Sequence, residues 1–256
     1  MCPIRFLVSR RLLVGVHPSG VDVPFRLRGG TTLTDRKRTA RWTGVFYLGL
    51  AVVGIVGFLV VRAELFVADD SAATLANLIE HESLARLGVA ADLSIVLFQA
   101  LAAIWFFKLF RSENSFAAGS IAAFGLVNAA AIVVATAFSA VALLVAGDVA
   151  LAPGADQAAT VQLLYELNGA VWSIGGLFFG LWLIPMGYVV YKYKVMPVAL
   201  GWVLMVGGIM YVISTYLDQV VADPSATVST ALTGVATLGE FWILGYLLIF
   251  GIRQTD

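Results

Sequence analysis

Two carboxylates interrupt segments that are otherwise apolar, and they are the side chains in those segments best suited to chemistry. Asp92 lies about six residues, and Glu240 about twelve residues, beyond the acidic loop that precedes each of them. At a rise of about 1.5 Å per residue, these positions are roughly 8 Å and 18 Å into their helices. Ionisable groups at such depth in a membrane are costly and usually face a bundle interior or a wet cavity. They could serve a proton, a cation or a small polar ligand.

Uncharged polar residues fall at matching depths. Gln99 follows Asp92 by seven residues, or two turns along the same helical face, and its depth equals that of Glu240. We therefore expect a hydrogen bond between Gln99 and Glu240. The sequence predicts one pocket, open to the outside, with these lining residues: Asp92, Gln99, Asn128, Tyr211 and Glu240. Two charged residues are expected at its outer mouth: Arg86 and Glu166.

A second interpretation gives the same residues a structural role only. Hydrogen bonds between membrane helices contribute about 0.6 kcal/mol each on average. A carboxamide would join helices at lower cost than a carboxylate, so the pocket remains an open interpretation for Asp92 and Glu240. Arg86 follows Glu82 by four residues, so an exposed ion pair between them is expected.

The amino-acid composition indicates whether the chain folds in water or in a membrane. Hydrophobic residues make up 60% of the 256 residues and charged residues only 12%, with 16 basic and 16 acidic side chains. A water-soluble domain of this size could not bury so much apolar surface, and a disordered chain would need the opposite composition. Zero net charge argues against nucleic-acid binding. We predict an all-α integral membrane protein whose surroundings are the lipid bilayer.

Six stretches are long enough to cross about 30 Å of hydrocarbon as helices. They are residues 42–62, 86–108, 116–146, 167–191, 197–218 and 228–252. The third is the longest, but it is too short for two spans with a turn, and no charge or proline divides it. The prediction is therefore a six-helix transmembrane domain over residues 42–252.

Charges between the stretches alternate in sign along the chain. Basic residues occupy the N-terminal region, the second and fourth connections and the C-terminus, whereas the first, third and fifth connections are acidic. Because basic loops are retained in the cytoplasm, both termini are expected there, in a multi-pass protein of the plasma membrane. Fourteen of the 16 basic residues then lie inside.

Residues 1–41 differ from the rest of the chain. They hold nine of the 16 basic residues, three prolines and only short apolar runs broken by arginine. A cleavable signal peptide needs an uninterrupted apolar core, so that interpretation fails. We expect a disordered basic tail on the cytoplasmic side. A further hypothesis is that translation begins near Leu33.

Few residues are available for cofactor or metal chemistry. Cys2 is the single cysteine, and His17 and His81 are the only histidines. Thiolate clusters, disulfides within the chain and histidine-based zinc or haem sites are therefore not expected. No catalytic residues are assigned, and no cofactor is predicted. An intramembrane enzyme is the weakest of the functional hypotheses.

Small residues mark where helices can approach closely. Gly176 and Gly180 stand in GxxxG spacing within the string GGLFFGLWLIPMGY. Such glycines let two helix backbones pack together in lipid. The favoured interpretation is packing within the chain, and the alternative is a homodimer through Gly176 and Gly180.

Several strings together resemble a known family. They are RTARWTGVFYLGL in the first span, the segment from Ala63 to Leu93, GGLFFGLWLIPMGY with the helix that follows it, and GEFWILGYLLIFG near the C-terminus. Over residues 38–252 the chain resembles the bacterial and archaeal membrane proteins of domain-of-unknown-function family 4386. The resemblance implies a polytopic membrane fold and no particular chemistry. It puts weight on these residues: Arg86, Asp92, Gly180, Pro197, Gly201, Tyr211 and Glu240.

Two functional classes remain after the enzyme. The first is a small transporter or ligand-binding bundle that uses the pocket around Asp92 and Glu240. The second is a structural or accessory membrane subunit with neither transport nor catalysis. The two differ in whether the carboxylates line a cavity that water can reach.

Overall fold

Long helices account for nearly all of the described structure. The computed structural model describes residues 33–221 and 225–253. Within them the chain forms seven helices and no strand. They are α1 (Leu33–Leu65), α2 (Ser71–Glu80), α3 (Glu82–Phe110), α4 (Ser115–Gly147), α5 (Gln157–Tyr193), α6 (Val198–Val220) and α7 (Ala226–Ile249).

Six of these helices, all except α2, are long and apolar enough to cross a membrane, which confirms the all-α fold with six candidate spans. The long third span is one helix of 33 residues, as predicted. The helix α5 begins ten residues before the predicted start of its span, at Gln157. It also continues through Pro185 without a break.

The first helix also begins earlier than predicted. Charged residues placed the boundary of the disordered tail at Arg41, but α1 already includes Leu33–Arg41. Arginine and lysine are good helix formers, so a spanning helix can continue past the bilayer into water. Asp35 in the first turn also suits the positive end of the helix dipole. The rest of the predicted tail, residues 1–32, and with it the translation-start hypothesis, lie outside the described residues.

The short helix α2 lies across one end of the bundle. Its N-terminal cap is the side chain of Asp70, which accepts a hydrogen bond of 2.9 Å from the backbone N–H of Ala73. Thr74 and Leu78 are its buried residues. This end also carries the α4–α5 connection, where the Gln157 side chain donates to the carbonyl of Val145 at 2.6 Å. We call it the acidic end, because acidic residues predominate in its connections.

The opposite end gathers basic residues from four segments. Arg36 at the start of α1 forms an ion pair with Glu113 in the α3–α4 connection. The backbone N–H of Arg253 donates to the carbonyl of Val195, between α5 and α6, at 2.9 Å. We call this the basic end. Apart from Arg62 and Arg86, it carries every basic residue that the structure describes: Arg36, Lys37, Arg38, Arg41, Lys108, Arg111, Lys192, Lys194 and Arg253.

An aromatic cluster fixes the centre of the bundle. The ring of Tyr47 on α1 packs edge to face on Phe106 of α3, with centroids 5.6 Å apart, and on Trp182 of α5 at 5.5 Å. Trp182 and Phe106 are fully buried. Edge-to-face ring pairs of this kind contribute about 0.5–1.5 kcal/mol beyond the apolar area that they bury. The cluster holds α1, α3 and α5 in a fixed relation.

Glycines bring α5 and α6 into backbone contact. A Cβ atom on Gly180 would lie 2.8 Å from the carbonyl oxygen of Gly208, and one on Gly187 would lie 2.5 Å from that of Gly201. Gly176 faces the side chains of Tyr211 and Thr215 of α6 instead. Gly176 and Gly180 are therefore covered by a helix of their own chain, in the packing that the sequence favours. A dimer through this face would have to displace α6.

The contact at Gly180 predicts a stability difference between two equivalent substitutions. Gly180→Ala should destabilise the fold by about 1–3 kcal/mol, because the new methyl group forces two backbones apart. Gly119→Ala is the matched control, since a Cβ there meets nothing within 4 Å. It should be neutral or slightly stabilising, since alanine favours helix. Unfolding of the purified proteins in mixed micelles, followed by circular dichroism, measures both. Equal stability of the two variants would contradict the close packing.

Candidate functional site

A π-helical segment at the acidic end of α1 shapes the first candidate site. The segment is Val56–Arg62, and Gly57, Phe58, Val61 and Arg62 from it all line one cavity. In an α-helix, Arg62 would point about 140° away from Gly57, five residues earlier. A π turn is wider, with a hydrogen bond from residue i to residue i+5, and so returns Arg62 to the side of Gly57. The local widening therefore turns the arginine into the bundle.

Arg62 is held there by a buried amide. Its Nη1 donates to the Oδ1 of Asn168 on α5 at 2.6 Å. The Nδ2 of Asn168 donates in turn to the carbonyl of Ala135 at 2.8 Å and to the hydroxyl of Ser139 at 2.9 Å, both on α4. The absence of a side chain at Gly169 makes room, because a Cβ there would lie 3.0 Å from Nη2 of the guanidinium. One arginine thus links α1 to α5 and, through Asn168, to α4.

Two aromatic rings cover this arginine towards the acidic end. The guanidinium carbon lies 5.0 Å from the centre of the Phe66 ring. Phe66 stacks on Tyr165 with centroids 5.7 Å apart and planes within 3° of parallel. A cation over an aromatic face gains about 0.5–2 kcal/mol, depending on how well it is shielded from water.

Asp92 enters the same cavity from α3. It is half-buried and lines the cavity together with Arg62, Asn168, Tyr165 and Ser139. Its carboxylate makes no hydrogen bond to any residue that the structure describes, and the Arg62–Asp92 pair is not within salt-bridge distance. A carboxylate and a guanidinium therefore face one space without contacting each other.

The volume of this space limits what it can hold. The cavity measures about 40 Å³. One water molecule needs at least about 10–15 Å³ measured in this way, so the cavity accepts about three waters or one small ion. An organic solute of metabolite size does not fit, since ligand pockets of that class have volumes of about 300 Å³ or more.

Glu240 lies in a different place, deeper in the bundle. Its Oε1 accepts a hydrogen bond of 2.5 Å from the hydroxyl of Tyr47 on α1. Both side chains line an apolar cleft of about 220 Å³ between α1 and α7. The cleft and the Arg62–Asp92 cavity share two wall residues, Phe58 and Trp172. These rings pack edge to face at 4.7 Å and form the partition between the two spaces.

Of the five residues predicted to form one pocket, Asp92 and Glu240 line two different cavities. The predicted hydrogen bond between Gln99 and Glu240 is wrong: Gln99 is fully buried, with its Nε2 3.5 Å from the carbonyl of Gly125. Asn128 is 2% exposed between helices, and its Nδ2 has no partner among the described residues. Tyr211 packs against Phe179, with ring centroids 6.0 Å apart. A similar predicted depth in the membrane does not determine the direction in which each side chain points from its helix.

The two residues expected at the outer mouth do not flank the Arg62–Asp92 cavity together. Arg86 forms the expected exposed ion pair with Glu82, at 2.6 Å. It lines a separate cleft beside α4, together with Leu143 and Leu144. Glu166 is exposed and accepts a hydrogen bond of 3.2 Å from Gln162, one turn earlier on α5.

Sequence reasoning missed the polar residues that line the cavity together with Asp92. Arg62 is the last residue of the predicted first span and has no predicted role, and Asn168 has none either, although it lies within the predicted fourth span. One feature of the sequence distinguishes Arg62 from Arg86, the other basic residue that borders the same acidic connection. Arg62 directly follows an apolar stretch, so it can lie within the first helix. Nothing in the sequence marks Val56–Arg62 as π-helical, so no pattern could show which way the arginine turns.

Comparison with known proteins gives one match. The family model described as "Domain of unknown function (DUF4386)" matches residues 42–251, which confirms the resemblance derived from the sequence. No curated protein and no solved structure matches the chain.

The cavity predicts a difference in water access between two positions on α3. With Cys2 replaced by serine, single cysteines can be placed at Asp92 and at Gln99, two turns apart on one face. A small water-soluble methanethiosulfonate should modify Asp92→Cys at least tenfold faster than Gln99→Cys, because Asp92 lines the cavity and Gln99 is 0% exposed. Modification followed by mass spectrometry gives both rates. Equal rates would mean that the cavity is closed to water.

Proposed function

Given that the chain belongs to the DUF4386 family, a family of unknown function, we propose that it passes protons or small ions through the Arg62–Asp92 cavity. The family match and the six apolar helices fit an integral membrane protein. The proposal adds that Asp92 is the group that takes the ion, and that Arg62 sets the charge around it.

The absence of a hydrogen-bonding partner for Asp92 carries this proposal. A carboxylate that only joins helices would be satisfied by a donor on a neighbouring helix, because an unpaired charge in the bilayer is costly. Asn168 is satisfied in this way, by Arg62, Ala135 and Ser139. Asp92 faces the cavity without a partner among the described residues, so water or an ion is its natural partner.

The size and charge of the cavity define the class of cargo. About 40 Å³ admits water molecules, and with them a proton, or one small inorganic ion. Arg62 opposite Asp92 makes the empty site formally neutral, so a bare cation meets a nearby positive charge. A proton carried on water meets the least repulsion, which places it first among the candidates.

An accessory role is the second candidate, and Glu240 favours it. Glu240 and Tyr47 form a hydrogen bond between α7 and α1, as expected of a polar group that stabilises a helix pair. If Asp92 likewise only holds ordered water, the protein would be a structural or accessory subunit without flux of its own.

The proposal includes an orientation. Both termini are placed in the cytoplasm, and the bundle in the plasma membrane, because basic residues collect at the end that carries the termini of the described bundle. The acidic end, with the Arg62–Asp92 cavity beneath it, then faces outward.

Cysteine labelling on intact cells tests this orientation. In the Cys2→Ser background, Ala150→Cys lies exposed at the acidic end and Ser112→Cys lies exposed at the basic end. A membrane-impermeant maleimide should label Ala150→Cys on intact cells, and Ser112→Cys only after permeabilisation. The reverse pattern would overturn the orientation.

Proton flux in proteoliposomes tests the function. With a trapped pH-sensitive dye, the wild type should dissipate an imposed pH gradient faster than empty liposomes do. Asp92→Asn should lower this rate at least tenfold, because the amide cannot exchange a proton at that position. The matched control is Glu64→Gln, an exposed carboxylate next to the cavity in sequence but not among its lining residues.

Each outcome of the flux assay distinguishes the two candidates. Loss of flux in Asp92→Asn with wild-type rates in Glu64→Gln supports the proposal. A wild-type rate equal to that of empty liposomes, for protons and for sodium, potassium and chloride in turn, would overturn it and favour the accessory role.

A further inference from the structure

The cleft between α1 and α7 is a second site with different chemistry. The two helices touch near the basic end, where a Cβ on Gly44 would lie 3.0 Å from the side chain of Leu248. Further along α1 they separate, since a Cβ on Gly54 would meet nothing within 4 Å. The gap is the apolar cleft of about 220 Å³ that contains Tyr47 and Glu240.

The cleft opens towards lipid. Its rim carries large apolar side chains that the bundle leaves exposed: Ile55 at 47%, Phe58 at 38% and Phe241 at 54%. These positions lie on helices that are apolar and long enough to span the bilayer, so the rim faces hydrocarbon. A molecule that enters must therefore already be dissolved in the membrane.

Aromatic rings make up much of the wall. They are Tyr47, Phe58, Trp172, Phe179 and Phe241. Aromatic side chains prefer offset or edge-to-face contacts with other rings, so this wall suits a flat ring better than a flexible chain. The volume agrees, because an apolar cavity of about 150 Å³ takes one benzene ring. At 220 Å³ the cleft has room for one ring with a few small substituents.

Polar groups are few in the cleft and lie close together. Glu240 and Tyr47 are already hydrogen-bonded, and Thr237 lies one turn from Glu240 on α7. The carboxyl group of Glu240 has a second oxygen besides the one that accepts from Tyr47. An occupant therefore needs an oxygen on its ring that can accept a hydrogen bond from the Tyr47 hydroxyl, the donor of this pair.

We propose that the α1–α7 cleft binds an isoprenoid quinone by its ring. The ring lies among the aromatic side chains, the Tyr47 hydroxyl turns from Glu240 to donate its hydrogen bond to one ring oxygen, and the isoprenoid tail remains in the bilayer. Such a molecule combines membrane solubility, a single flat ring and polar oxygens at the ring. This binding is independent of flux through the Arg62–Asp92 cavity.

Binding can be tested with decylubiquinone and the protein in phosphatidylcholine nanodiscs. Quinones quench tryptophan fluorescence, and Trp172 lies in the wall of the cleft. Titration of the wild type should show two components of fluorescence quenching. One rises linearly as the quinone partitions into lipid, and the other saturates as the cleft is filled. Gly54→Leu should remove the saturable part, because its side chain fills the open space of the cleft. Tyr47→Phe should weaken binding about three- to tenfold, as expected for one lost hydrogen bond.

A matched control separates filling of the cleft from a general effect of the substitution. Gly119→Leu also enters open space, but on α4 and away from the cleft, and it should quench like the wild type. Equal, purely linear quenching in the wild type and Gly54→Leu would overturn the proposal. Displacement of the quinone by decane at the same membrane concentration would also overturn it, since the cleft would then accept any apolar chain.

Discussion

The hydrogen bond between Arg62 and Asn168 is the interaction on which the polar part of this structure depends. It places a guanidinium inside a membrane bundle, where an unsatisfied charge would cost several kcal/mol. Asn168 can hold it because its own Nδ2 is satisfied by Ala135 and Ser139 on α4. The bond requires the π-helical segment of α1, without which Arg62 would point away, and the missing side chain at Gly169. Three helices thus meet at one amide.

The same interaction explains why Asp92 is left facing a cavity. Arg62 is occupied by Asn168 and by the Phe66 ring, so it is held short of an ion pair with Asp92. A direct pair would close the space and neutralise both groups. Keeping them apart preserves a polar volume of about three water molecules between opposite charges. The cost of a carboxylate at this depth is then reduced by water and by the nearby positive charge, while the group stays accessible.

Hydropathy and charge were sufficient to predict the six spans and the single long third helix, and the GxxxG spacing predicts the close packing at Gly176 and Gly180. They failed at the ends of α1, for two physical reasons. A spanning helix continues beyond the bilayer when its charged residues are good helix formers, which moved the start to Leu33. At the other end the first charge, Arg62, predicts the end of the span, but α1 continues to Leu65 and Arg62 lines the cavity.

The position of a residue along a helix can be estimated from the sequence. The sequence does not show which sides of two helices face each other. The sequence predicts Gln99 and Glu240 at the same depth, yet Gln99 faces Gly125 on α4 while Glu240 faces Tyr47 on α1. The missing information is the rotation of each helix about its axis. That rotation depends on packing, as at Gly180 against Gly208 and Tyr47 against Trp182. A single sequence contains these contacts only as residue types, without their partners.

The two carboxylates therefore lie in environments that favour different partners. The space around Asp92 is small and polar, and it contains an arginine, so it suits water and ions. The space around Glu240 is larger and apolar, and it opens to lipid, so it suits a ring dissolved in the membrane. Phe58 and Trp172 line both spaces and contact each other edge to face. Because the two rings are in contact and line both spaces, a rotation of either ring would change the shape of both. Phe58 and Trp172 therefore connect the two sites physically.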